Sequence, residues 1–145
     1  MIPIAFKIIA HGSYEYKKCV SLREDILRKP LGLSYTSEEL DCEKDHIHIA
    51  GFLSVTLCVT AFLVQEEKRL RIKQVAVRKD LQGQGIASAM MKFCEEYAQE
   101  NGFKEIYCHA RQTAVPFYEK NAYIPEGEIF LEITLPHRRM RKILS

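Results

Sequence analysis

No stretch of this 145-residue chain approaches the roughly 18 consecutive apolar residues that a membrane span needs, and no basic segment leads into a long apolar run near its start. The expectation is a protein without membrane anchor or export signal, resident in the cytoplasm. Charge of one sign is scarce too. Twenty-one Lys and Arg against 19 Asp and Glu leave a formal charge of +2, far from the footprint of a nucleic-acid binder. The small excess is confined to the residues after Thr60, where fourteen basic residues face eleven acidic ones. Cys19, Cys42, Cys58, Cys94 and Cys108 include no C-x-x-C pair and are odd in number, so they read as reduced thiols, with no disulfide framework and no metal expected. No repeat, low-complexity segment or linker interrupts the chain, which points to one domain over residues 1–145. What is present is ordinary: 47% apolar and 28% charged residues, the composition of a globule that buries about two thirds of its unfolded surface and needs no staple to fold.

The hydrophobic pattern predicts strands over Ile4–Ile9, His46–Phe52, Val55–Val64, Leu70–Val77, Glu105–Ala110, Tyr123–Pro125 and Ile129–Leu135. Helices are predicted over Tyr14–Lys29, behind a Ser13 cap, over Gly85–Glu100, and over Thr113–Lys120 with Pro116 in its first turn. The acid-rich segment Leu33–Asp45 reads as a solvated loop or frayed short helix, with a role beside the substrate as the alternative. The tail from His137, with Arg138, Arg139, Arg141 and Lys142, reads as solvated basic surface. The element order implies an α+β (mixed α/β) domain: one mixed sheet of about seven strands with helices on both faces.

The informative segment runs from strand Val75, Ala76, Val77 into Gln82, Gly83, Gln84, Gly85, Ile86, Ala87 and Ser88, then straight into the longest helix. Gly83 and Gly85 permit a tight turn that exposes successive N–H groups. A helix N-terminus adds unpaired donors and a positive dipole end, so the segment suits a phosphate or pyrophosphate. The first helical turn carries no acid, which leaves that role to an anionic ligand. A plain strand-to-helix turn is the simpler alternative. No Lys follows as a nucleotide-binding P-loop requires, and Ser88 stands where a dinucleotide fingerprint needs its third glycine.

These residues resemble the GNAT superfamily of acyl-CoA-dependent N-acetyltransferases. Gln82, Gly85 and Ala87 fit its Q/R-x-x-G-x-G/A signature, and Ala114, Phe117, Tyr118 and Tyr123 look like its A-x-x-F-Y-x-x-x-G-F segment. The resemblance implies a GNAT-like fold and acetyl transfer from acetyl-CoA to a primary amine, carried by a small molecule or a peptide, with no metal and with a homodimer allowed. It implies that the fourth and fifth strands splay around the pantetheine arm, which pairs with Val75, Ala76 and Val77. The pyrophosphate then lies on the amides from Gln82 to Ser88, and Tyr118 protonates the departing thiolate. The pattern departs from the family in four places. Arg71 and Lys73 occupy positions where a Glu or His base is common, Arg111 replaces a frequent Asn, and Ala122 a frequent Gly. Glu132, His137, His109 or a water relay are the substitute bases. Arg71, Lys73, Arg138 and Arg139 could receive an anionic group on the acceptor, with a solvated surface as the alternative. Two other readings stay open: a non-catalytic acyl-CoA sensor of the same fold, and a nucleotide-binding module.

Overall fold

The computed structural model describes residues 3–144. Seven strands form one sheet in the order β1-β2-β3-β4-β5-β7-β6: β1 (Ala5–Ile9), β2 (Ile47–Leu53), β3 (Thr56–Glu66), β4 (Arg69–Val77), β5 (Glu105–Arg111), β6 (Ile124–Glu132) and β7 (Leu135–Ile143). Every neighbouring pair is antiparallel except β4 and β5, which run parallel. Parallel neighbours need a crossover, and helix α3 (Ile86–Glu100) supplies it. Helix α1 (Tyr14–Arg23) lies on the opposite face, α4 (Val115–Lys120) joins α3, and the short helix α2 (Ser37–Asp41) has its Leu40 carbonyl 2.8 Å from His11 Nε2, just before α1.

Helix α3 forms where its apolar residues recur at helical spacing. Ile86, Met90, Met91, Cys94 and Ala98 are buried against Leu70, Ile72, Ile106, Cys108 and Met140 of the sheet. Each large side chain removed from water there contributes about 1.5–3 kcal/mol. On the other face Tyr16 and Cys19 of α1 cover Ile9 and Ala50. Ser13 caps α1, its hydroxyl accepting from the Tyr16 N–H at 3.1 Å. The regular helix is shorter than the sequence pattern suggests: a π turn over Glu24–Arg28 and a 3-10 turn over Lys29–Leu31 replace its last two turns.

The segment Leu33–Asp45 is not a uniformly solvated loop. Thr36 and Glu39 close a reciprocal capping box on α2, and beyond it Glu43 is only 6% exposed. Arg23, 1% exposed, grips both Glu43 oxygens from Nη1 (2.9 Å) and Nη2 (2.6 Å). The Tyr16 hydroxyl donates to the same carboxylate at 2.8 Å. The guanidinium also lies between the rings of Tyr35 and Phe62, at 4.7 and 5.0 Å. A charge cluster that the sequence places in solvent thus includes one buried acid, because its partner sits 20 residues earlier on α1.

The C-terminal hairpin corrects two further expectations. Residues 124–132 form a single strand, irregular between Glu126 and Phe130 where Gly127 takes φ 75°. The basic segment from His137 is no tail: it lies in β7, between β5 and β6. Met140 is fully buried, while Arg139 and Arg141 pair with carboxylates across strands. The hairpin turns on Ile133 and Thr134, with φ 51° and 59°. Both are β-branched, the residue type that resists this left-handed region most.

Removing one partner of the buried pair strands a charge inside the protein, which costs about 3–5 kcal/mol. Glu43→Ala is expected to lower the urea midpoint accordingly, at an unchanged m-value, in equilibrium unfolding followed by circular dichroism. A loss below about 1 kcal/mol would show that the Arg23 contact is not the anchor of this segment.

Candidate active site

Strands β4 and β5 stay paired only from Arg69 with Glu105 to Ile72 with Cys108. Beyond that point β4 bulges. Thr60 pairs with Ala76 and Phe62 with Lys73, so Gln74 and Val75 together face the single residue Ala61. Gln74 adopts φ 57° and is held there by its side chain, whose Oε1 accepts from Arg23 Nε at 3.1 Å and from the Tyr35 hydroxyl. Strand β5 meanwhile keeps its register with β7 as far as Arg111. The two strands therefore part, and a cavity of about 350 Å³ opens between them.

The edge of β4 facing this gap is usable backbone. Because the Arg78 N–H donates to the Cys58 carbonyl at 2.9 Å, alternation along an antiparallel pair turns the N–H and C=O of Val77 away from β3. Gln82 Nε2 reaches that carbonyl at 3.0 Å. The glutamine of the signature thus fastens the loop to the end of β4, and the Val77 N–H is left without a partner among the described residues.

After a 3-10 turn over Lys79–Leu81, Gly83 and Gly85 take φ 80° and 83°, and Gly85 is the N-cap of α3 with no side-chain cap bond. Ala89 is the first helical amide to find a carbonyl, that of Gly85 at 3.1 Å. The N–H groups from Gly83 to Ser88 have no partner among the described residues. A Cβ built on either glycine meets nothing within 4 Å, so these amides border open space and the glycines serve the backbone conformation. Six adjacent donors at a positive helix end, with no acid in the first turn, fit a diphosphate.

On the far wall, Tyr118 of α4 is buried and lines the cavity beside Cys108 and Ala110. Burial, followed by the neighbouring Cys108, pushes its phenol well above the ordinary value, so it holds its proton. Burial likewise raises the Cys108 thiol to about 12. The three residues expected as alternative bases lie together on the cavity wall. His109 Nδ1 lies 3.2 Å from Glu132 Oε1, and His137 Nε2 lies 3.7 Å from Glu132 Oε2. Arg71 Nη2 approaches His109 Nδ1 at 2.8 Å. Burial, then the Arg71 charge against the opposing pull of Glu132, keeps His109 below its usual range. Although burial works the other way, the His109 contact holds the Glu132 carboxyl below its own.

The departures from the family pattern have local explanations. Arg111 Nη2 donates to the Leu27 carbonyl at 3.1 Å, tying the end of β5 to the π turn across the cavity. Ala122 sits at φ 70° just after α4, in a conformation that suits glycine better. Arg138, in contrast, has its Nε buried without a partner among the described residues and does not line the cavity.

Residues 36–144 match the family model of the acetyltransferase (GNAT) domain. The chain belongs to the GNAT acetyltransferase family. Its fold is shared by a Lactobacillus plantarum protein ascribed N-acetyltransferase activity, at 26% identity and TM-score 0.83, covering 97% of this chain and 99% of that one. Escherichia coli ElaA is similar at 21% identity and TM-score 0.81, with the same two coverages. A Bacillus subtilis acetyltransferase solved in complex with CoA matches at 13% identity and TM-score 0.78, over 99% of this chain and all of that one. In this GNAT chain the expected seven-stranded mixed sheet is present, the glycine turn lies where the sequence places it, and the fourth and fifth strands part as the family resemblance implies. The Arg23–Gln74 contact escaped it, since nothing in the sequence pairs residues 51 apart.

Four of the five cysteines are buried and only Cys42 is exposed. A disulfide-exchange reagent is expected to label one thiol rapidly in the native protein and the other four only on unfolding. Cys42→Ser should abolish the fast phase, and rapid labelling of Cys108 would mean that the cavity wall opens.

Proposed function

We propose that this chain transfers an acetyl group from acetyl-CoA directly to a primary amine. The observation that carries the reading is the unpaired edge of β4, with the proton-bearing Tyr118 lining the gap beside it and the partnerless amides from Gly83 to Ser88 following in the loop that Gln82 ties to the strand end. When bound, the co-substrate supplies an acetyl thioester, activated for attack by nitrogen. Val75 and Val77 would hold its amide-bearing arm through main-chain hydrogen bonds, as a strand edge holds a peptide. The amides of Gly83 to Ser88 would hold its diphosphate.

Tyr118 keeps a proton on its hydroxyl for the departing sulfur. Its raised pKa makes it a reluctant acid alone, so its place beside the sulfur matters more than its intrinsic acidity. The amine must arrive neutral or lose a proton on the way. The cluster of Glu132, His109 and His137 supports proton acceptance, since Glu132 holds its charge and His109 its neutral form near pH 7. The free thiols suit a reducing cytoplasm. The sensor reading rests on Arg71 and Lys73 at two base positions; the grouped carboxylate and imidazoles favour turnover.

The decisive experiment follows release of free CoA with acetyl-CoA and a broad amine panel, beside calorimetric binding of CoA. Gly85→Asp sets a carboxylate against the diphosphate and is expected to abolish binding. Tyr118→Phe is expected to lower kcat by about 10- to 100-fold with little change in CoA affinity. Binding that survives Gly85→Asp would place the diphosphate elsewhere, and full turnover by the Phe variant would remove Tyr118 as the acid.

A further inference from the structure

The face of the sheet that carries Arg71 and Lys73 is rich in cations, and away from the cavity each has a carboxylate. Arg69 lies 3.1 Å from Glu66 and 3.7 Å from Glu105. Arg141 lies 3.4 Å from Glu105 and 3.1 Å from Glu126, and Arg139 lies 3.5 Å from Glu126. At the cavity the matching stops. Arg71, Lys73 and Arg111 all line it, and among the described residues Glu132 is the one carboxylate that does so. Glu132 is already shared by His109, His137 and, at 3.7 Å, Arg71. Arg28 also reaches the cavity, but its charge goes to Glu39 at 3.1 Å. Lys73 has neither a hydrogen bond nor a carboxylate within 4 Å among the described residues. Its ammonium only overhangs the Phe62 ring, 5.9 Å from the centroid.

We propose that the acceptor is a small amine that also carries a carboxylate, and that Lys73 and Arg71 receive this carboxylate inside the cavity. The proposal rests on the acetyl-transfer reading above and narrows it to a substrate class. A half-buried ammonium without a counter-ion is costly to keep charged, and both burial and the Arg71 charge pull the Lys73 pKa down. An incoming carboxylate opposes both effects by pairing with the ammonium, and Arg71, whose Nη2 is already on His109, adds a second positive charge beside it. A polyamine or a bare lysine side chain would instead meet Arg71, Lys73 and Arg111 as like charges, with Glu132 alone to offset them. Size points the same way. About 350 Å³ lies at the low end of ligand pockets, roughly 300–1,000 Å³, and the thioester end must share it. An amine of amino-acid dimensions fits; a bulky polycation does not.

The test is calorimetric titration of the CoA-loaded protein, paralleled by acetylation rates, with matched pairs: glycine, β-alanine, 4-aminobutyrate and phenylalanine, each against its carboxamide. The acid of the best pair is expected to bind about tenfold more tightly than its amide. Lys73→Met, with Lys73→Gln as a second neutral variant, is expected to bring that ratio close to one, and Lys73→Arg to retain it. The proposal is overturned if amides or spermidine bind as well as the acids, if no acid binds, if aminoethyl phosphate outcompetes them all, or if the preference survives both neutral variants. Failure of CoA itself to bind would instead sink the transfer reading, so the two failures are distinguishable.

Discussion

Strand β4 has hydrogen-bonded neighbours on both edges only as far as Ile72, and the rest of the site follows from that limit. One extra residue against Ala61 shifts the register with β3 and rotates the strand end away from β5. A gap between parallel strands exposes main-chain groups that would otherwise be paired, which is unfavourable unless something occupies them. Gln82 satisfies one of these groups, the Val77 carbonyl, and ties the glycine turn to the same strand end. The bulge therefore sets where the two strands part, and with it the strand end to which the glycine turn is tied.

The bulge is held from outside the sheet. Gln74 would not sit at φ 57° unaided, and its side-chain oxygen is fixed by Arg23 and Tyr35. Arg23 is in turn fixed by Glu43, Tyr16 and two aromatic faces. Residues from α1, from the turn before α2 and from the segment leading into β2 thus converge on one β4 residue. A chain of charge-assisted bonds in a low-dielectric setting is stiff because each member is costly to leave unsatisfied. The acid-rich segment, which has little hydrophobic reason to pack, is recruited through the Glu43 carboxylate, with Tyr35 on Gln74 and Glu39 on Arg28 as further ties.

Much of this was legible in the sequence, and for physical reasons. Helix α3, β3 and the glycine turn are local features: spacing of apolar residues, β-branching and freedom at positive φ act within a few residues. What failed was long-range or disguised. Strand β7 hides because, apart from Met140, its core-facing side is poorly apolar, and its outward cations are neutralised by acids on β5 and β6. Its hairpin has no Asn or Gly at the tip to announce a turn. Glu43 looked like its acidic neighbours, since only the fold brings Arg23 to it. Tyr118 and Gln82 were found through motifs, yet the Gln82 side chain fastens the strand end, a role its position in the signature does not disclose.

The hairpin tip has a consequence of its own. Ile133 and Thr134 occupy a left-handed geometry that costs non-glycine residues roughly 1–2 kcal/mol each, and Ile133 lines the cavity between Glu132 and His137. The torsion is balanced by the cross-strand pairing behind it, so the tip behaves as a cocked spring whose release is opposed by the rest of β6 and β7. Substitutions that relax it would make the hairpin more robust while altering the apolar side chain that Ile133 contributes to the cavity wall. Selection for thermal tolerance and selection for the shape of the cavity wall would pull this corner of the molecule in opposite directions.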